Sequence, residues 1–410
     1  LGPGAQVEQK SGKGSKTVHH AEQVAQIKTM LARLDSGITV DAGGFRRNPS
    51  WVYTDPELAE REQEVFFAGH PQLVGLSCDL PGPGTFLTTF DLKTAILATR
   101  SQDGKFRAFV NSCRHRGAIL EERERGSERR FSCPFHQWTY ADDGALVALP
   151  KEEHFGDVDR SCNGLIQLPS VERDGLLWVH PDPAGSIDLE EQLGTDLCAE
   201  LASWNLGELV YLGQDRYEVA CNWKLAMDTF GETYHFPVLH RDTLNHHFHG
   251  NVQCYDTFGR NHRMLLCRRE IDEMRHLPED DWDITVATLP VYWLFPNIQL
   301  MPFEAGVYLV RAYPDPEQPG AHCSRIDFYL RPGPAANAEA ADLFAMVGTR
   351  FGEIIRDEDY AVSASQQRSA DSGTLPSLLF GRNEPGLHHY HNTYRSMLGM
   401  DPLPLLDSAG

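Results

Sequence analysis

The chain has 410 residues, enough for two or three domains, and its 41% hydrophobic and 23% charged residues are the balance of a globular protein. A formal net charge of −21 excludes a nucleic-acid binder, which needs a basic surface to neutralise phosphates, and no apolar run reaches the ~18–20 residues of a membrane span. The nine cysteines are odd in number and lack the spacing of a disulfide framework, which fits a reducing cytoplasm with a few functional thiols.

In chain order, residues 1–18 are rich in Gly, Lys and Ser and read as a flexible tail with no signal peptide. Residues 19–35 have helical period, with Val24, Ile27, Met30 and Leu31 on one face. A second helix is predicted over 55–67, capped by Thr54. From about 73 to 181 the runs are short, alternating and rich in β-formers. Pro81-Gly82-Pro83-Gly84, Asp103-Gly104 and Asp143-Gly144 punctuate them, as in an all-β module of hairpins. After Pro181 helical and extended runs alternate. Residues 222–236 read as a helix ended by Pro237. Strands are predicted at 291–295, 298–301, 307–310 and 324–330, a loop at 314–319, and helices over 335–369 and 387–398. The expected fold class is α+β: an all-β domain plus an antiparallel sheet covered by helices.

Two clusters of residues carry chemistry. Cys113-Arg114-His115 is followed, after seventeen residues, by Cys133-Pro134-Phe135-His136. Two thiolates and two imidazoles on two short loops match a Rieske [2Fe–2S] centre, in which two Cys hold one iron and two His the other. The same four residues would suit a structural zinc, but the hairpin context has no recognition helix after it. In the second cluster Asp228, Glu232 and His235 are spaced i, i+4, i+7, and His240 follows just past Pro237. Two imidazoles and a carboxylate suit non-haem Fe(II) with open positions for O2. A carboxylate beside a ligand histidine also fits a partner that fixes the ring's orientation.

With both clusters present, residues 50–391 resemble the oxygenase (α) component of Rieske non-haem iron ring-hydroxylating oxygenases. Cys113, His115, Cys133 and His136 match the cluster motif, and Asp228, Glu232, His235 and His240 match D-x3-D-x2-H-x4-H with Glu in place of Asp at 232. That Glu resembles the branch acting on carnitine, choline and related quaternary amines. The resemblance implies a third iron ligand on a late helix; Asp359 is the best match, with Asp357 and Glu353 as rivals. It also implies a [2Fe–2S] domain at 68–183 and a catalytic mononuclear-iron domain at 184–410, with helices of 19–67 packed on the latter. A reductase or ferredoxin drawing on NAD(P)H would feed electrons to the cluster. In a head-to-tail homotrimer Glu232 would join His235 of one chain to His136 of the next, Asp228 would lie near the iron, and a separate β subunit would accompany some branches. The implied function is terminal oxygenation of an aromatic or other hydrophobic ring with O2. The alternatives are a quaternary-amine monooxygenase or demethylase and, from another class, an electron-transfer Rieske protein without oxygenase activity.

Other features have plainer readings. Arg114, Arg116, Arg123, Arg125, Arg129 and Arg130 surround the cluster loops among glutamates; they read as a solvated hairpin, with docking of an acidic electron donor as the alternative. His246, His247 and His249 read as a surface loop, with a channel lining as the alternative, and His388, His389 and His391 as ordinary structural histidines. Tyr292, Trp293, Phe295 and Phe303 read as core that could also wall an apolar pocket.

Overall fold

Seven strands form the antiparallel sheet on which the molecule is built. In spatial order they are Val210–Val219, His322–Leu330, Gly306–Pro314, Ile298–Pro302, Thr288–Leu294, Asn261–Arg268 and Phe248–Phe258. The structure, a computed structural model, describes residues 20–407, so the tail expected at 1–18 lies outside the described residues. Four of the seven strands overlap the predicted ones. The other three were not foreseen, because polar residues break their period. Val210–Val219 and Phe248–Phe258 are the edge strands and are only partly buried. In Asn261–Arg268 two buried polar residues find partners outside the strand. Asn261 donates to the Gln192 carbonyl at 2.8 Å, and Arg263 pairs with Asp256 at 2.7 Å.

The N-terminal helix His20–Ser36 buries Val24, Ile27, Met30 and Leu31, the expected face, against the Phe248–Phe258 edge. The next helix is Pro56–Glu62, followed by a π-helical turn Gln63–Ala68. Its cap is Asp55 rather than Thr54: Pro56 takes the first helical position, and the Asp55 carboxylate accepts the Leu58 N–H at 2.7 Å. The late helical region is Ala338–Ile354 and Tyr360–Asp371, joined by a π-helical turn Ile355–Asp359, and the last helix is Pro385–Met397.

The helix expected over 222–236 is much shorter, Trp223–Asp228. Beyond it Gly231 packs so tightly on Leu387 that a Cβ would collide. The Glu232 carboxylate then accepts the backbone N–H groups of Tyr234 and His235, a local cap that replaces helical bonds. Glu232 and His235 therefore sit in turns rather than on a helix face with Asp228. The short helix is anchored by Glu62, which accepts from Trp223 Nε1 at 2.8 Å and pairs with fully buried Lys224 at 2.6 Å.

The hairpin module holds a five-stranded sheet, ordered Gln167–Leu168, Phe106–Val110, Ile96–Arg100, Thr85–Thr89 and Arg125–Ser127. Two three-stranded sheets complete it, one from Arg130–Ser132, Thr139–Ala141 and Leu146–Ala148, the other from Gln72–Leu76, Ser170–Arg173 and Leu176–Val179. Gly144 takes φ +86° where any Cβ would strike Phe109, which is why the Asp143-Gly144 turn needs glycine. The module is fastened to the large sheet by Arg125, which reaches Asp79 at 2.9 Å and Asp327 at 3.4 Å, while Asp327 also pairs with buried Arg311. Removing one partner from such a buried network costs about 3–5 kcal/mol. No helix among the described residues is long and apolar enough to cross a membrane.

Candidate active site

The two cluster loops are the same backbone device used twice. The Cys113 N–H donates to the Ala118 carbonyl and the Gly117 N–H to the Cys113 carbonyl; the Cys133 N–H donates to Trp138 and the Gln137 N–H to Cys133, all at 2.8–2.9 Å. Each knuckle turns on a positive φ, 76° at Gly117 and 59° at Gln137. The result buries Cys113 and Cys133 and leaves His136 exposed above them. The His115 and His136 rings lie 4.6 Å apart between centroids, and His115 stacks on Trp138 at 5.0 Å. Neither thiol is in a disulfide, and the buried His115 Nδ1 has no hydrogen-bond partner. Two buried soft donors beneath two imidazoles, one with an orphaned nitrogen, fit a Rieske cluster. Tyr140 adds a polar neighbour, its hydroxyl 3.5 Å from Cys113 Sγ and accepting the Arg114 N–H at 3.0 Å.

The second site gathers His235, His240 and Asp359, whose potential donor atoms all lie within 4.8 Å of one another. Asp359 Oδ1 stands 3.6 Å from His235 Nε2 and 3.4 Å from His240 Nε2. The π-helical turn 355–359 delivers this carboxylate, and such turns often mark functional sites. The rivals Asp357 and Glu353 face elsewhere, paired with Arg356 and Arg350. Each imidazole is oriented through Nδ1 by a carboxylate, His235 by Glu232 and His240 by Glu358 at 2.6 Å. Glu358 also accepts from the Thr243 hydroxyl at 2.8 Å. Both Nε2 atoms thus turn towards Asp359, and that of His235 is buried without a hydrogen bond. Burial disfavours charge on the His235 ring, but Asp359 and Glu232 outweigh it and push the group up to about 9. The same imidazoles hold buried Asp359 below its ordinary value despite desolvation. Two oriented imidazoles, one anionic oxygen and an orphaned nitrogen fit a divalent iron.

Asp228 lies behind this group, lining a cleft with Glu232, His235 and Asp359. Its carboxylate is tied to the Tyr53 hydroxyl at 2.9 Å and to His391 Nε2 at 2.7 Å. His391 is therefore more than a packing histidine, and Glu358 is more than a neighbour of Asp359. Neither role was legible, since each depends on contacts across the fold.

On the other side the triad opens into a cavity of about 540 Å³. Its walls are mostly apolar, with Phe248, Met264, Leu266, Met301, Phe303 and Phe351 among them. His246 and His247 line it, so the loop reading of these residues gives way to the channel alternative, whereas His249 lies outside. Phe303 belongs to the wall, but Tyr292, Trp293 and Phe295 belong to the core. The arginine patch also dissolves in part. Arg125 is engaged internally and Arg123 pairs with Glu121 and Glu128, while Arg116 lies over the Phe135 ring at 4.9 Å.

A family model described as the ring hydroxylating alpha subunit (catalytic domain) matches residues 206–400, and one for the Rieske [2Fe-2S] domain matches 70–169. The chain carries, in this order, the two domains of a Rieske-type ring-hydroxylating alpha subunit. Such an alpha subunit pairs the [2Fe–2S] domain with a non-haem iron domain, the α+β arrangement observed. The chain is 33% identical over 196 residues to the anthranilate 1,2-dioxygenase large subunit of Acinetobacter baylyi, covering 46% of this chain and 41% of that protein. It is 31% identical over 198 residues to the glycine betaine monooxygenase oxygenase subunit of Chromohalobacter salexigens, covering 48% and 44%. The chain thus spans less than half the length of these curated relatives. Among solved structures, the quaternary ammonium Rieske monooxygenase CntA with L-carnitine superposes with a TM-score of 0.72 at 20% identity, covering 88% of this chain and 97% of that one. Naphthalene 1,2-dioxygenase from Rhodococcus sp. bound to indole gives 0.67 at 19%, covering 92% and 98%. At these identities the structural likeness is one of fold.

Proposed function

We propose that this alpha subunit is the terminal oxygenase component of a system that hydroxylates an aromatic or other hydrophobic ring with O2. The observation that carries this reading is the apolar cavity opening directly onto His235, His240 and Asp359. We take these three as the iron ligands and Cys113, His115, Cys133 and His136 as the cluster ligands. Iron(II) held by the triad would supply the place where O2 is reduced beside the substrate. A cluster on the four upstream ligands would supply electrons one at a time, drawn from NAD(P)H through a reductase or ferredoxin. The chain's own residues do the rest. Glu232 and Glu358 hold the two imidazoles in one tautomer and orientation. Phe303, Phe351 and Leu266 exclude water and press the substrate ring towards the triad. Asp228, fixed by Tyr53 and His391, places a carboxyl group behind it.

An intact triad speaks against a pure electron carrier. Oligomeric state, location and domain limits are part of the same reading. The exposure of Phe135, His136, Tyr234 and Val238 supports a homotrimer in which His136 of one copy meets Glu232 of another. Nine cysteines without a disulfide support a cytoplasmic setting. The strands of the hairpin module, which run from Gln72–Leu76 to Leu176–Val179, support a cluster domain at 68–183 and a catalytic domain at 184–410. The quaternary-amine alternative rests on Glu232 and the betaine-acting relative.

Metal analysis of anaerobically purified protein tests the proposal first. About three irons and about two acid-labile sulfides per chain, with a Rieske-type paramagnetic signal after dithionite, are expected. Zinc without sulfide would sink the reading. Product analysis then separates the branches: a diol or phenol from a ring, formaldehyde or another aldehyde from an amine.

A further inference from the structure

One wall of the cavity is the strand Asn261–Arg268, and its side chains facing the cavity are Met264, Leu266 and Arg268. Alternate residues of a strand share a face, so Arg268 continues an apolar row. Across the ladder it is paired with Phe248, another wall residue. Among the described residues the Arg268 side chain makes no hydrogen bond and no ion pair, and its Nε is buried without a partner. That is unusual among the arginines of this chain that are not exposed. Buried Arg311, Arg325 and Arg263 each hold a carboxylate. Arg46, Arg331 and Arg395, which lack one, each donate to a backbone carbonyl. The other arginine on the cavity, Arg350, is paired with Glu353 at 3.1 Å. Burial holds the Arg268 guanidinium below its ordinary value, and the more distant Glu270 and Glu304 do not offset it.

A half-buried cation in an apolar wall is costly unless something anionic meets it. A planar guanidinium meets a carboxylate with two parallel hydrogen bonds. Resting on the oxygenase reading, we propose that the substrate is an amphipathic carboxylic acid: its carboxylate docks on Arg268 while its ring body lies against Phe303, Tyr308 and Phe351. Tyr308 stacks on Phe351 at 4.5 Å and lies 4.9 Å from Phe303, which makes a continuous aromatic surface for that body. The carboxylate then fixes which end of the molecule faces the triad, so Arg268 sets regiochemistry as well as affinity. The same charge repels a quaternary ammonium.

The test is anaerobic calorimetry on the iron- and cluster-loaded protein with benzoate, 2-naphthoate and 9-anthroate, each against its primary carboxamide. At least one acid should bind about tenfold to a hundredfold tighter than its amide, the range of a hydrogen bond to a charged group. Arg268→Gln should erase that preference while amide affinity and the cluster spectrum stay as they were; Arg268→Lys should keep part of it. No acid favoured over its amide, or a preference that survives Arg268→Gln, overturns the proposal. Single turnover of the reduced protein with O2 reads the oxygenase function separately. An acid bound through Arg268 but never oxidised would defeat that function and leave the anion site standing. A neutral ring oxidised with no preference for the acid would do the reverse.

Discussion

The cluster loops and the His235–His240–Asp359 group are built on opposite plans. All four cluster residues come from one stretch, 113–136, on two knuckles whose backbone bonds are identical in pattern. Local turn geometry alone places them. The triad instead joins a turn after a short helix to a π-helical turn of a late helix, and each imidazole leans on its own carboxylate. A local site should tolerate damage elsewhere. A composite site should fail by degrees as each supporting contact is removed.

Removing a proposed ligand from each site is the largest test of that contrast. Asp359→Ala should lose about one iron per chain yet keep all acid-labile sulfide and the Rieske signal. Its turnover should fall more than the ~10–100-fold typical of losing an outer partner. Cys133→Ser should do the opposite, losing sulfide and visible absorption while the mononuclear iron stays. Metal and sulfide analysis of both variants decides the point. If either substitution empties both sites, the two are not independent and the contrast collapses.

The same contrast explains what was legible in the sequence. Cys113, His115, Cys133 and His136 are readable because spacing within hairpins is spacing in space. His235 and His240 were visible for the same reason. The helix expected through Asp228, Glu232 and His235 ends early at Asp228, because Gly231 against Leu387 and the Glu232 cap are invisible to periodicity. Asp359 could be chosen only by resemblance, with Asp357 and Glu353 beside it. The structure shows the physical difference between them: those two meet arginines, while Asp359 turns inward. Glu358, His391 and the edge strands Val210–Val219 and Phe248–Phe258 escaped notice because their partners lie far away in sequence or their burial is partial.

An intermediate effect comes from the supporting contacts. Glu358→Ala removes the partner of His240 Nδ1 and of the Thr243 hydroxyl. Iron(II) affinity, measured by competition with a chelator, should weaken about 10–100-fold. The matching contact at the cluster is the Tyr140 hydroxyl beside Cys113 Sγ. Tyr140→Phe should leave cluster content unchanged and lower only its reduction potential, since hydrogen bonds to cluster sulfurs raise it. An unaltered iron affinity in Glu358→Ala would mean the triad is as self-sufficient as the knuckles.

The smallest effect concerns the charge a composite site accumulates. Glu384 lines the cleft with Asp228, Glu232 and Asp359. Burial raises its pKa, Glu232 and Asp228 add to the rise, and the Gly381 N–H and His235 oppose it, leaving Glu384 at about 7 against an ordinary 4.5. Between these values the folded chain keeps a proton that the unfolded chain releases. The stabilisation from this group is therefore complete below about 4.5 and is lost as pH rises through about 7. Glu384→Gln keeps an acceptor for Gly381 without the charge. In chelator-stripped protein it should be more stable than the unaltered chain at pH 8 by about 1–2 kcal/mol, discounted for partial exposure. That gain should vanish near pH 4.5 in thermal melts across the range. Restoring iron should shrink it at pH 8 as well, because a cation beside these carboxylates favours the ionised Glu384 that the stripped site disfavours. Equal melting temperatures at pH 8 would show that solvent, not the fold, already neutralises this cleft.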